Sequence, residues 1–288
     1  MTAQIALLPG DRLHLQHGPI DCICRAWGAP GEVRAAYGQA AAAFPAMLPA
    51  LCEELAALRR RVLAAAPPAG AVARAMHAAC LPYADRFITP MAAVAGAVAD
   101  HLLAALTAGR ALDRAFVNDG GDIAFHLAPG ESLRAGLVAD LTAPALDGTF
   151  LLDAAHPARG LATSGRACRG QGGRSFSFGI ADAVSVLAAT AADADAAATI
   201  IGNAVDLPRH PAISRRPATA IDPDSDLGAR PVTWSVGRLS AEEVAHALDG
   251  GERVADALIA AGRIHGAVLA LRGAVRVRGA ALPALEQS

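Results

Sequence analysis

Near residue 110 the hydrophobic period of this chain changes, and that change restricts what it can fold into. Upstream, apolar side chains recur at helical spacing, clearest in Leu51, Leu55, Leu58 and Val62. Downstream, Ala115-Phe116-Val117 and Ile123-Ala124-Phe125 flank Asn118-Asp119-Gly120-Gly121-Asp122, a turn between two alternating segments. Helices first and then short strands mixed with helices predict an α+β fold with a mixed or antiparallel sheet and a helical amino-terminal third, not a doubly wound one.

The spacing predicts a strand over residues 13–26, turned near Gly18-Pro19, and helices over 31–66 (broken by Pro45 and Pro49), 70–84 and 90–108. After the turn at 118–122 it predicts strands near 133–139 and 148–152, a glycine- and arginine-rich loop over 160–174, and a strand over 180–187. A helix from Thr190 to about Val205, an ordered loop over 206–229, a strand over 232–236, a helix over 240–261 and a hairpin over 264–277 complete the expectation. The expected organisation is one domain over 1–288, with a strand-plus-helix part to 110 and a mixed-sheet part from 111.

Composition narrows the function classes. A net charge of -2 and an aromatic content of 4% offer no basic footprint or stacking platform for nucleic acid and no polybasic patch for an anionic membrane. The amino terminus lacks the basic start and apolar run of a signal peptide, and the apolar stretch 87–106 contains Asp100 and His101, so it reads as a buried helix. Five cysteines without a CxxC pair suit reduced, buried thiols, with Cys22 and Cys24 on one face of a strand in the core. The expected location is cytoplasmic.

Three segments could carry chemistry. In Asn118-Asp119-Gly120-Gly121-Asp122 the paired glycines let backbone N–H groups approach a ligand, and the carboxylates can meet a cation or a ribose; the same residues also make a tight turn. Gly160-Leu161-Ala162-Thr163-Ser164-Gly165-Arg166, continuing through Arg169 to Arg174, suits a phosphate cradle, or a solvated loop. In Thr190 to Thr199, Asp193 is explained as a near capping box with Thr190. Asp195, Thr199 and Asn203 fall on one helix face and offer only oxygen ligands, a partial site for Mg²⁺, unless Asp195 merely answers the helix dipole. The histidines have no HxxxH or HxH spacing, His77 and His101 read as structural, and neither a nucleophile elbow nor a P-loop is present.

In that order the three segments resemble the signatures of the ApbE superfamily, the FAD:protein FMN transferases. Asn118-Asp119-Gly120-Gly121-Asp122-Ile123 is similar to Asn-x-Gly-Gly-Asp-Ile, Leu161-Ala162-Thr163-Ser164-Gly165 to Ile-Ala-Thr-Ser-Gly, and Asp195-Ala196-Ala197-Ala198-Thr199 to the Asp-Ala-x-x-Thr helix. The likeness runs from about Pro90 to Val205 and looks like the shorter branch of the superfamily, which also carries segments like Thr89-Pro90-Met91-Ala92-Ala93-Val94-Ala95-Gly96 and Asp224-Ser225-Asp226-Leu227-Gly228.

The resemblance implies Mg²⁺ on Asp195 and Thr199. It implies FAD or FMN cradled by Asn118, Gly120, Gly121, Asp122, Thr163, Ser164 and Gly165, with Arg166 or Arg169 at phosphate. The implied reaction is FMN transfer to an acceptor flavoprotein or hydrolysis of the FAD pyrophosphate, the alternative being a non-catalytic flavin or nucleotide binder serving a redox enzyme. A homo-oligomer is left open. Two departures stand out. The family's His-Ile-Ile-Asp-Pro segment is here Phe178-Gly179-Ile180-Ala181-Asp182-Ala183, which keeps Asp182 as a candidate catalytic residue but has no histidine, and the family's amino-terminal Ser-Glu segment has no counterpart among residues 34–61.

Overall fold

Alternation of buried and open side chains builds the first strands, β1 (Gln4–Leu8), β2 (Arg12–His17) and β3 (Ile20–Gly28), into an antiparallel meander. The structure, a computed structural model, describes residues 2–64, 67–137, 148–165 and 176–279. Sequence periodicity misses β1, because all five of its side chains keep exposure and Leu7 is 72% exposed. Gly18, at φ 59°, makes the turn between β2 and β3.

The first helical region is shorter and more broken than its spacing predicts. α1 (Pro30–Ala43) gives way at Pro45 to a 3₁₀ turn, followed by α2 (Met47–Glu53) and α3 (Leu55–Leu58). In α4 (Ala71–Cys80) the residues Val72, Ala73, Met76, Ala79 and Cys80 form one buried stripe. A 3₁₀ turn at Pro90–Ala93 leads into α5 (Val94–Thr107), where Ala97, Val98, Leu102 and Leu106 are fully buried. By length and composition the span Pro90–Thr107 could cross a membrane, but these side chains pack against protein.

β4 (Leu112–Asp119) and β5 (Asp122–Leu127) form the expected hairpin, paired from Arg114↔Leu127 to Asp119↔Asp122. β6 (Ser132–Leu137) and β7 (Gly148–Asp153) form a ribbon, and β8 (Gly160–Ser164) pairs antiparallel with β5. The start of the expected loop at 160 is therefore a strand, because Leu161 and Ala162 are apolar enough to bury. β9 (Ala183–Ala188) and α6 (Ala191–Ala204) follow. β10 (Ile213–Pro217) lies inside the segment expected as loop and pairs with β11 (Pro231–Val236). α7 (Ala241–Ala260) opens with a capping box, Ser240 accepting from the Glu243 N–H while the Glu243 carboxylate accepts from the Ser240 N–H. β12 (Gly266–Leu271) and β13 (Ala274–Arg278) close the described chain.

These elements group into two compact units. Unit 1 holds Met1–Ala135, Leu151–Ala162 and Ala188–Asp195; its sheet runs β1-β2-β3-β4-β5-β8, and α1 and α5 cover one face. Unit 2 holds Gly136–Phe150, Thr163–Leu187 and Ala196–Ser288; in it β12 pairs with both β9 and β13, and α7 packs on β12 and β13. The fold class is α+β with antiparallel pairing, as the change of period implies.

Candidate functional site

Register places the first group of functional side chains. Cys22 pairs with Asp119 and Cys24 with Val117 across β3 and β4, and Asp119 pairs with Asp122 at the last position before the turn. Partners across a strand pair share a face, so two thiols and two carboxylates project to the helix-covered side. All four are buried. Gly120 and Gly121, at φ 63° and 112°, supply the left-handed turn, and the Asn118 side chain accepts from the Gly121 N–H at 2.8 Å. Asn118, Gly120 and Gly121 therefore have a structural task in full, whatever else they do.

Asp119 accepts from the Asp21 N–H at 3.3 Å and from the Cys22 thiol. Burial nonetheless dominates and raises its carboxyl to about 7. Burial also pushes the Cys22 thiol far up and the Cys24 thiol up to about 12, so both are inert protonated thiols.

The third carboxylate arrives from α6. The N–H of Gly96, in the first turn of α5, donates to Asp195 at 3.2 Å, and the Asp195 carboxyl is hydrogen-bonded to that of Asp122. Desolvation, with Asp122 beside it, holds Asp195 well above the ordinary carboxylate range. Two hydrogen-bonded carboxyls need a proton between them or a cation beside them, because two bare carboxylates repel at this range. The donors at this point are all oxygen, which fits a hard divalent cation that keeps most of its waters. Thr199 stands one turn further along α6. Among the described residues no three His, Cys, Asp or Glu side chains are arranged as a metal centre by themselves.

The close approach of α5 and α6 depends on Gly96. A Cβ there would stand 2.3 Å from the Ala191 carbonyl oxygen. At the same crossing the two oxygens of Asp100 accept from the N–H groups of Ala191 and Ala192 at 3.0 and 2.9 Å. Thr190 and Asp193 form the local box their spacing suggests, with the Asp193 N–H donating to the Thr190 hydroxyl at 3.0 Å and that hydroxyl donating to the Asp193 carboxylate at 2.8 Å.

Other expected residues lie in unit 2. Thr163 shares a hydroxyl–hydroxyl bond with Ser185 at 2.7 Å, Ser164 ends β8, and Gly165, at φ 145°, passes so close to Asp182 that a Cβ would meet its carbonyl oxygen at 2.5 Å. Asp182 accepts from the Arg272 N–H at 2.5 Å, where Arg272 takes φ 53° to turn β12 into β13. Asn203, grouped in sequence with Asp195 and Thr199, instead accepts from Ser177 and from the Phe178 N–H at 3.1 and 2.9 Å. Arg166 and Arg169, expected at phosphate, fall within residues 166–175, outside the described residues.

Sequence reasoning passed over Asp100 and Gly96. Asp100 carried a legible signal, since a lone carboxylate in an apolar stretch must find donors. The burial of Asp119 carried none, because Asp-Gly-Gly reads equally well as a solvated turn.

The chain matches the family described as AbpE bacteria over residues 5–277. A UPF0280 protein of Methanothermobacter thermautotrophicus is 40% identical over 123 residues, covering 42% of this chain and 44% of its own length. A UPF0280 protein of Methanothrix thermoacetophila is 39% identical over 142 residues, covering 49% and 53%. The chain thus spans about half the length of the curated relatives it matches. The crystal structure of the ApbE protein of Thermotoga maritima aligns with a TM-score of 0.39 at 17% identity, over 67% of this chain and 52% of that one. With the match running nearly end to end, the chain belongs to the AbpE bacteria family.

Proposed function

We propose that this chain binds a flavin nucleotide, FAD or FMN, together with Mg²⁺, and acts on the pyrophosphate of FAD. The observation that carries the reading is the hydrogen-bonded pair Asp122–Asp195, two carboxyls short of positive charge, with Asp195 on the segment that resembles the family's metal helix. Asp195 and Thr199 would hold the ion. Bound there, Mg²⁺ supplies charge neutralisation for the pyrophosphate and the departing AMP. Asn118, Gly120, Gly121 and Asp122 would face the nucleotide from the β4–β5 turn; by resemblance to the family motif, Thr163, Ser164, Gly165 and Arg166 are proposed as nucleotide-binding residues too. Asp182 is assigned to proton transfer; one of its oxygens is engaged by Arg272, and the other has no partner among the described residues.

The attacking group would be a hydroxyl of an acceptor flavoprotein or water. The departure at Gly179 favours a second reading, a flavin binder without transferase activity that serves a redox enzyme. A Cβ on Gly179 would lie 2.0 Å from the Gly202 carbonyl oxygen, so this fold leaves no room there for the family's imidazole.

Two measurements separate these readings. Fluorescence titration should show tighter flavin-nucleotide binding in Mg²⁺ than in EDTA, and equal affinity would sink the cation assignment. AMP released from FAD with Mg²⁺, alone or with an acceptor flavoprotein, identifies an enzyme, and tight binding without AMP in either mixture identifies a carrier.

A further inference from the structure

The first N–H groups of a helix have no partner within it, so a side chain that accepts from them fixes where the helix starts. α5 and α6 serve each other in this way. Asp195 of α6 takes the N–H of Gly96 in the first turn of α5, and Asp100 of α5 takes the N–H groups of Ala191 and Ala192 in the first turn of α6. Gly96 and Asp100 are one turn apart, as are Ala191 and Asp195, so the two contacts form a reciprocal lock.

The two halves of the lock are not equivalent. Asp195 accepts one backbone N–H, and a single backbone bond leaves a pivot. Asp100 accepts from adjacent N–H groups with both oxygens of a planar carboxylate, which fixes both the height and the rotation of α6. The Asp193 N–H, the third of α6, is satisfied locally by the Thr190 hydroxyl, so Asp100 serves only the first two. What Asp100 adds is registration of one helix against the other.

We propose that Asp100 is a positioning residue for Asp195, holding α6 in the rotation that brings the Asp195 carboxyl to Gly96 and Asp122. The functional part of this proposal rests on the reading of Asp195 as a cation ligand. Outer partners that orient a metal ligand change metal affinity by about 10- to 100-fold when removed. Asp100 takes that role here through the helix backbone.

The test uses the full chain and its Asp100→Ala, Asp100→Asn and Asp195→Ala variants. Amide exchange is read by NMR at Gly96, Ala191 and Ala192, and binding of Mg²⁺ alone is read by calorimetry. Asp100→Ala should speed exchange at Gly96, remote from its own hydrogen bonds, and weaken Mg²⁺ binding by about 10-fold or more. Asp100→Asn, which keeps one acceptor, should fall between it and the unaltered chain on both readouts. Faster exchange confined to Ala191 and Ala192, with Gly96 unchanged, would reduce Asp100 to a local cap and overturn the proposal. If Asp100→Ala does not fold, Asp100→Asn decides alone, and unaltered Gly96 exchange in it overturns the proposal equally. If the unaltered chain and Asp195→Ala take up Mg²⁺ alike, the cation reading fails, while exchange at Gly96 still decides whether Asp100 positions Asp195.

Discussion

The backbone N–H of Gly96 donates to the carboxylate of Asp195 across 99 positions of sequence. This bond ties the apolar helix that follows Thr89-Pro90 to the helix carrying the Asp-Ala-x-x-Thr motif, and it exists only because residue 96 has no side chain. Two segments that resemble family signatures separately are thus two halves of one contact.

Gly96→Ala should destabilise the fold severely. The new methyl would meet the carbonyl of Ala191, a backbone group that cannot swing aside, so α5 must move away from α6. Overpacking of this kind costs about 1–3 kcal/mol, and denaturant titration should show the midpoint falling with no change in slope. A wild-type midpoint would mean that the helices are not held this closely.

Stability should fall as pH rises from about 4 to about 7. In that window folded Asp119, raised to about 7, keeps a proton that the unfolded chain has already released, so the folded state binds more protons. Asp100 and Asp195 are displaced in the same direction and act with the same sign. Each such group contributes at most about 1.4 kcal/mol per pH unit across its window. Melting temperatures measured in EDTA should decline from pH 5 to pH 7, and Asp119→Asn should flatten the decline. A rise over that range would contradict the buried, protonated carboxyls.

The two aspartates of α6 should separate cleanly. Asp195→Ala should abolish the Mg²⁺ dependence of flavin-nucleotide binding. Asp193→Ala should cost about 1 kcal/mol through the lost contact with Thr190 and leave binding unchanged. The reverse pattern in paired titrations and melts would mean that their roles are exchanged.

Gly179→His should not create a transferase. The position aligns with the family's histidine, but its Cβ would collide with the Gly202 carbonyl and stand 2.8 Å from that of Val205. Circular dichroism should show a loss of folded protein at temperatures where the unaltered chain persists. A folded variant that moves FMN onto an acceptor peptide would overturn this account of the site.

Several features were legible along the chain because their causes are local. The switch of period near residue 110 announced α+β, Asn118-Asp119-Gly120-Gly121-Asp122 announced its turn, Thr190 with Asp193 announced a helix start, and strand alternation put Cys22 and Cys24 in the core. Each depends on residues within one or two turns of one another. β1 escaped that reading because its pairing partner, not its own pattern, makes it a strand. The candidate site was decided further still from local sequence. Asp100 meets Ala191 across 91 positions and Asp182 meets Arg272 across 90, and no propensity or spacing encodes such a meeting. Desolvation of Asp119 likewise follows from what packs over it, so the motif letters named the carboxylates, while helix and sheet packing set their protonation and their partners.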